Sequence, residues 1–135
     1  MSPSTVRPAV DRLKALAHPA RLRILALLRE EELCVCQVRE VLGMATSTVS
    51  EHLAGLRRAD LLEERREGRW VYYRLKSPDG TKAFLDGLWS LLEGIPQVAQ
   101  DRRACAEVLR RPVGTVCRPG PQPRPERARR AAAPR

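Results

Sequence analysis

Apolar residues recur along this chain at helical spacing in six stretches, with one interval of strand-like alternation among them. Val10, Leu13, Leu16 and Ala17 share one face of a first helix. It opens near Pro8, which suits a first helical turn, and ends at His18, because the residue before Pro19 is pushed toward extended geometry. A second helix starts at Pro19 and stacks Leu22, Leu25 and Leu28 on one face, widened by Ile24 and Leu27, so it is expected at the centre of the core. The spacing predicts a short third helix over Cys34–Leu42, anchored by Val38, Val41 and Leu42 and stopped by Gly43. A fourth runs from about Thr46 to Ala59. Its Val49, Leu53 and Leu56 point inward, leaving Ser47, Thr48, Ser50 and Glu51 outside.

The alternation follows. Two strands are predicted at about Leu62–Arg66 and Trp70–Leu75, joined through Glu67-Gly68-Arg69, with Val71, Tyr73 and Leu75 on one face. A long fifth helix, about Pro78–Glu93, carries Phe84, Leu85, Leu88, Trp89, Leu91 and Leu92, a wider apolar surface than one small domain needs, which predicts a partner subunit. A sixth amphipathic helix, about Gln97–Arg110, carries Cys105. From Pro112 onward the Pro/Arg/Ala composition builds no core. The expected organisation is therefore a disordered segment 1–6, one domain over 7–111 and a flexible tail over 112–135.

Charge narrows the partner. The chain carries a formal +9 at pH 7, which points to a polyanion, either nucleic acid or an anionic membrane surface. Residues 118–135 hold six Arg against Glu126, a balance of +5, so the other 117 residues carry +4 and the folded body is only mildly basic. No apolar run approaches the roughly 18 residues of a membrane span, and the N-terminal residues have no signal-peptide core, so a cytoplasmic protein is expected, without a membrane partner. In that compartment four cysteines suggest metal or redox chemistry rather than structural disulfides. Five aromatics, three of them at Trp70, Tyr72 and Tyr73, are too few for a single-strand stacking platform.

Helix, tight turn through Gly43, helix and basic hairpin make the layout of a winged helix-turn-helix, mainly α with a small β-hairpin wing. Its second helix enters a major groove, where hydroxyl and small side chains approach base edges and phosphates. Arg66 and Arg69 flank Gly68 at the hairpin tip, placed for phosphates or the minor groove. His52, adjacent to the outward face, is placed for a phosphate. Double-stranded DNA is thus the expected partner, and no cofactor is needed to bind it. The chain has no Gly-rich phosphate loop or paired-carboxylate box, and its two histidines each fall in another motif, so an enzyme is not expected.

Cys34-Val35-Cys36 brings a second chemistry. Soft thiolates select thiophilic ions such as As(III), Sb(III), Cd(II) or Pb(II) over oxygen-seeking ones. On a regular helix residues i and i+2 point roughly 200° apart, so one ion holding both sulfurs requires the first turn of the third helix to distort. That helix supports the fourth, so a ligand there would move the DNA reader.

The segments HPARLRILALL, ELCVC, VLGMATSTVSEHLAGLRRADLL and EGRWVYYRL closely resemble the ArsR/SmtB family of bacterial metal-responsive repressors, over about residues 10–93. The resemblance implies a homodimeric winged helix-turn-helix that occupies an inverted-repeat operator and leaves it when an inducer binds. In that family the positions matching Thr46, Ser47, Thr48, Ser50 and Glu51 contact operator DNA, although many members have His where this chain has Glu51. The family's dimer interface uses the first and fifth helices, which here implicates Leu13, Leu16, Leu85, Leu88, Trp89 and Leu92.

ELCVC is the box of the family's arsenite-responsive branch, implying As(III), Sb(III) or methylated As(III) as inducer. The best-known pattern has a third cysteine three residues after the second, and this chain has Arg39 there. As(III) prefers three sulfurs, so Cys105, Cys117 or a small thiol from solution is expected to complete the set, while a two-thiol site would suit a monomethylated arsenical. Beyond its first residues the fifth helix has no histidine and only Asp86 and Glu93 as carboxylates, so the family's zinc site there cannot be built. Residues 1–33 hold no cysteine of the kind the cadmium/lead branch recruits. Cadmium/lead sensing and a redox or persulfide sensor pairing Cys34 or Cys36 with Cys105 stand as alternatives; a constitutive architectural DNA binder with inert cysteines is a third.

Overall fold

The computed structural model describes residues 5–76 and 81–117. Among the described residues seven helices and three short strands follow in the order α1 (Arg7–Leu16), α2 (Pro19–Glu30), β1 (Leu33–Cys34), α3 (Val35–Leu42), α4 (Thr46–Arg58), β2 (Leu62–Glu67), β3 (Trp70–Leu75), α5 (Lys82–Leu92), α6 (Pro96–Leu109) and α7 (Val113–Val116). No helix among the described residues is long and apolar enough to cross a membrane.

Local chemistry sets the boundaries. His18 is extended, as the following proline demands, and its Nδ1 accepts the Ala20 N–H at 3.1 Å, capping α2. Gly43 ends α3 in the left-handed region at φ +68°, where its N–H reaches the Arg39 carbonyl. Asp60 turns the chain out of α4 at φ 65° and is held there by Lys76 at 2.7 Å, which ties the base of the wing to the helix before it.

The core gathers where the periodicity put it. Ile24 and Leu25 of α2, Val38 of α3, and Val49, Leu53 and Leu56 of α4 are wholly buried. Each such aliphatic side chain contributes about 1.5–3 kcal/mol on leaving water, and together they fix α4 against the body with its hydroxyl-bearing face outward.

Four features depart from the pattern reading. First, Leu33 and Cys34 form a third strand, β1, paired antiparallel with β3 through Leu33–Tyr73 and Cys34–Tyr72, so the sheet order is β1-β3-β2 rather than a lone hairpin. Two residues are too few for an alternation signal. Second, α3 therefore begins at Val35, and Cys34 is its extended N-cap, whose N–H is accepted by Gln37 Oε1 at 2.9 Å.

Third, folded structure runs past residue 111, since α7 packs against α3 and buries Val116 and Cys117. A single turn with two apolar residues is invisible to composition. Residues 1–4 and 118–135, the rest of the segments expected to be disordered, lie outside the described residues, as does the predicted start of the fifth helix at Pro78.

Fourth, the chain's own core takes Leu16, Leu85, Leu88 and Leu92, four of the residues assigned to a partner interface. Leu85, Leu88 and Leu92 are one helical stripe. Phe84 and Leu91 form the second stripe of α5 and are exposed, as is Leu13 on α1. Trp89 is half-buried between the stripes, with the Arg29 guanidinium 5.0 Å over its ring. The wide apolar face was legible, but not which half the domain keeps for itself.

Helix α6 lies across α2 and α3. Arg23 donates from Nε and Nη2 to the two carboxylate oxygens of Asp101 at 2.8 and 3.0 Å, and Gln97 Nε2 adds a third bond at 2.9 Å. This satisfies a buried carboxylate and sets the height at which α6 leads into α7.

Candidate functional site

Two groups of side chains share the end of the molecule formed by β1, α3 and α4. The first is the outer face of α4. Thr46, Ser47, Thr48, Ser50 and Glu51 are all exposed there, and the helix opens after Ala45 without a side-chain cap, so its first N–H groups are open to an anion. At the wing tip Gly68 takes φ +61°, and Arg66 and Arg69 are exposed on either side of it. Arg69 lies 4.9 Å over the Trp70 ring. Arg66 has no ion pair among the described residues.

His52 does not join that face. It is buried at 7% exposure, accepts the Arg21 Nε–H at its Nδ1 at 3.1 Å, and lies 4.5 Å from the His18 ring. Burial, then His18 and Arg21, push its pKa down. It comes one residue after the outward Glu51, and roughly 100° of rotation turns it inward. Arg21 reaches it across Gly55, where an added Cβ would lie 2.7 Å from the guanidinium carbon.

Arg65, which the pattern reading passed over, braces the wing. Its guanidinium bonds Glu32 at 2.7 Å and Glu67 beside it, and lies over the Tyr72 ring, so these carboxylates raise its pKa further and it stays charged. Glu63, Arg65 and Glu67, opposite charges in turn at strand spacing, were the available signal.

The second group is sulfur. Cys34, Cys36 and Cys117 bring their Sγ atoms within 4.8 Å of one another. Cys34 Sγ is 3.4 Å from Cys117 Sγ, and Cys36 and Cys117 are joined as a disulfide with Cα atoms 5.3 Å apart. Cys34 and Cys117 are buried, and Cys36 is half-buried. Because Cys34 is extended and precedes the helix, it and Cys36 reach a common point with α3 intact. The distortion expected for a C-x-C pair on a regular helix is not needed.

Cys105 lies apart. It is packed in the core on α6, facing α2, and burial with Glu31 beyond it pushes its thiol pKa up. A thiol held protonated in apolar surroundings is a poor ligand for a soft ion. The sequence left Cys105 and Cys117 as equal candidates for a third sulfur, and α7 brings only Cys117 to the pair.

Cys34 is a junction. It pairs with Tyr72 of the wing strand, caps α3, and touches the sulfur at the end of α7. Whatever joins the three sulfurs therefore acts on the wing and on the helix that carries α4.

A two-helix reader with its second helix's polar face outward, followed by a basic two-stranded wing, defines a winged helix-turn-helix regulator of transcription. Residues 18–64 match the family model described as bacterial regulatory protein, arsR family. The chain is 45% identical over 78 residues to an arsenic resistance transcriptional regulator of Pseudomonas putida, covering 56% of this chain and 61% of that protein. It is 40% identical over 83 residues to the arsenical resistance operon repressor of Escherichia coli, covering 59% of this chain and 71% of that one. Its fold matches the homodimeric winged helix-turn-helix DNA-binding domain of a possible ArsR-family regulator from Mycobacterium bovis with a TM-score of 0.58 and 31% identity, over 70% of this chain and 94% of that chain. The chain belongs to the ArsR family.

Proposed function

We propose that this chain is a transcriptional repressor that holds operator DNA as a homodimer and releases it when trivalent arsenic binds Cys34, Cys36 and Cys117. The observation that carries this reading is the convergence of three sulfurs, from β1, α3 and the end of α7, within 4.8 Å. Two relatives named for arsenic resistance support the choice of ligand.

The chemistry balances without an oxidant. Arsenite, As(OH)3, condenses with three thiols to give As(SR)3 and three waters, each thiol proton leaving with a hydroxide. The reduced trithiol suits As(III) and Sb(III) by softness, and any two of its thiols suit a monomethylated arsenical. Thr46, Ser47, Thr48, Ser50 and Glu51 on α4, with Arg66 and Arg69 on the wing, are the operator-facing set. The exposed apolar side chains Leu13, Phe84 and Leu91 are the surface left for a second copy. Since the ligand bonds to Cys34 and Cys117, it favours the arrangement in which α7 is docked on α3. It shifts the DNA-competent population only by binding the two arrangements unequally.

The Cys36–Cys117 pairing favours a second reading, a thiol-redox switch. There a small disulfide is reduced to two thiols while Cys36 and Cys117 are oxidised to one disulfide, with two electrons and two protons passing to the oxidant. Its partner cysteine is Cys117 rather than the Cys105 expected from sequence.

One titration separates the readings. Anisotropy of a labelled operator duplex is followed with reduced protein at fixed salt, against arsenite and against glutathione disulfide. Release by micromolar arsenite, lost in Cys34→Ser, supports the arsenic switch. Release by the disulfide alone supports the redox switch and removes arsenic as inducer.

A further inference from the structure

Arg39 connects the sulfur cluster to the DNA-reading helix. It lies on α3 one turn after Cys36, and its guanidinium spans two elements. Nη2 donates to the Val116 carbonyl at 3.2 Å, and Nη1 donates to Thr46 Oγ1 at 3.4 Å. Val116 is the residue before Cys117, and Thr46 is the first residue of α4. The neighbouring Glu40 lies 3.6 Å from Arg39 and accepts from Arg111 at 3.2 Å, so the start of the α7 segment is tied to the same turn of α3. A planar guanidinium can hold two acceptors at a fixed separation, which an ammonium cannot.

We propose that Arg39 carries the ligand signal from the three-sulfur site to α4. This rests on the arsenic reading above and names the residue that makes the site regulatory. A ligand bonded to Cys117 holds α7 on α3 and so fixes the Val116 carbonyl. That carbonyl holds the guanidinium across to Thr46, where two of its N–H groups and one acceptor site of the Thr46 oxygen are committed within the protein at the end of α4 that meets phosphate. With α7 unheld, Arg39 loses its carbonyl partner and is free to pair with the operator backbone beside the α4 N-terminus. Arg39 is a positioning residue; it is not a ligand of the arsenic.

The test measures coupling, not affinity alone. Operator Kd is determined with and without saturating arsenite for the reduced full chain and for Arg39→Ala and Arg39→Lys. Arsenite binding is followed independently by near-ultraviolet sulfur-to-arsenic absorption. We expect all three proteins to bind one arsenite per chain. The ratio of the two Kd values should fall at least about fivefold in both variants, within the span of ordinary allosteric couplings. Arg39→Lys, which keeps the charge, should bind free operator more tightly than Arg39→Ala.

A purely structural role would weaken operator binding equally with and without arsenite, leaving the ratio at the wild-type value, and that result overturns the proposal. So does loss of arsenite binding in Arg39→Lys, which would make Arg39 part of the site instead of its relay. A wild-type chain that binds arsenite yet keeps its operator overturns the arsenic reading and the relay together, whereas release in the wild type matched by both variants overturns the relay alone.

Discussion

The sulfurs of Cys34 and Cys117 lie 3.4 Å apart although 83 residues separate them in the chain. One belongs to a strand that continues into the wing sheet, the other to the last described residue after α7. A ligand shared by them and by Cys36 is therefore a cross-link between the wing sheet, α3 and α7.

Such a ligand stabilises the folded chain, because the unfolded chain does not hold three sulfurs together. Arsenite at about 100 times its Kd should add roughly 2.7 kcal/mol to the reduced protein. Thermal melting followed by circular dichroism should show Tm rising with arsenite. In Cys117→Ser, which leaves two of the three thiols, a higher arsenite concentration should be needed for the same rise. A Tm indifferent to arsenite in the wild type would contradict a site that spans these elements.

His52 makes stability depend on pH. Its ring is buried against His18 and Arg21, with Glu51 opposing them, and the net effect lowers its pKa from the ordinary 6.5. The unfolded chain therefore takes up this proton first as pH falls. The contribution of neutral His52 is complete above about 6.5 and is lost as pH falls through that value toward the lower folded one. Protonation also turns Nδ1 from an acceptor into a donor and breaks its bond from Arg21. Denaturant melts at pH 7.5 and 5.5 should show an acid loss in the wild type that is smaller in His52→Asn, whose amide oxygen can still accept from Arg21.

Arg66 has no ion pair among the described residues, whereas Arg65 beside it is occupied by Glu32 and Glu67. Arg66→Ala should weaken operator binding and lower the slope of log Kobs against log salt by about one unit, the mark of a lost phosphate contact. Arg65→Ala should instead loosen the wing, seen as faster hydrogen exchange in β2 and β3. Equal salt slopes in Arg66→Ala and the wild type would remove Arg66 from the interface.

Asp101 is buried and holds Arg23 through two bonds. Asp101→Ala strands Arg23 and releases α6, at a cost of about 3 kcal/mol, the scale of breaking one side of a largely buried pair. Urea unfolding measures that cost. Because α6 leads into α7, arsenite binding should weaken in the same variant.

How much of this was legible depended on how many residues carried each signal. The faces of α2 and α4 were written in runs of apolar residues at helical spacing, and Val49, Leu53 and Leu56 are buried as that spacing demands. The wing was written in alternation and in Gly68. The two-residue β1 had no period to show, yet it decides the chemistry of Cys34, since an extended N-cap aims its sulfur differently from a helical residue. His52 was misplaced by one step around α4. Cys117 stood in a stretch whose composition reads as tail, and only α7 packing on α3 returns it to the cysteine pair. Arg39 stands in the sequence only as the absence of a third cysteine; its link between Val116 and Thr46 depends on a contact across 77 residues that no local pattern encodes.

On the arsenic reading, Cys34, Cys36 and Cys117 together hold the trivalent ion. Arsenic K-edge X-ray absorption on reduced chain with one equivalent of arsenite and no added small thiol counts the sulfurs directly. Three sulfur neighbours in the wild type and in Cys105→Ser, falling to two with an oxygen in Cys117→Ser, is the predicted result. A count left at three by Cys117→Ser, or reduced by Cys105→Ser, would contradict it.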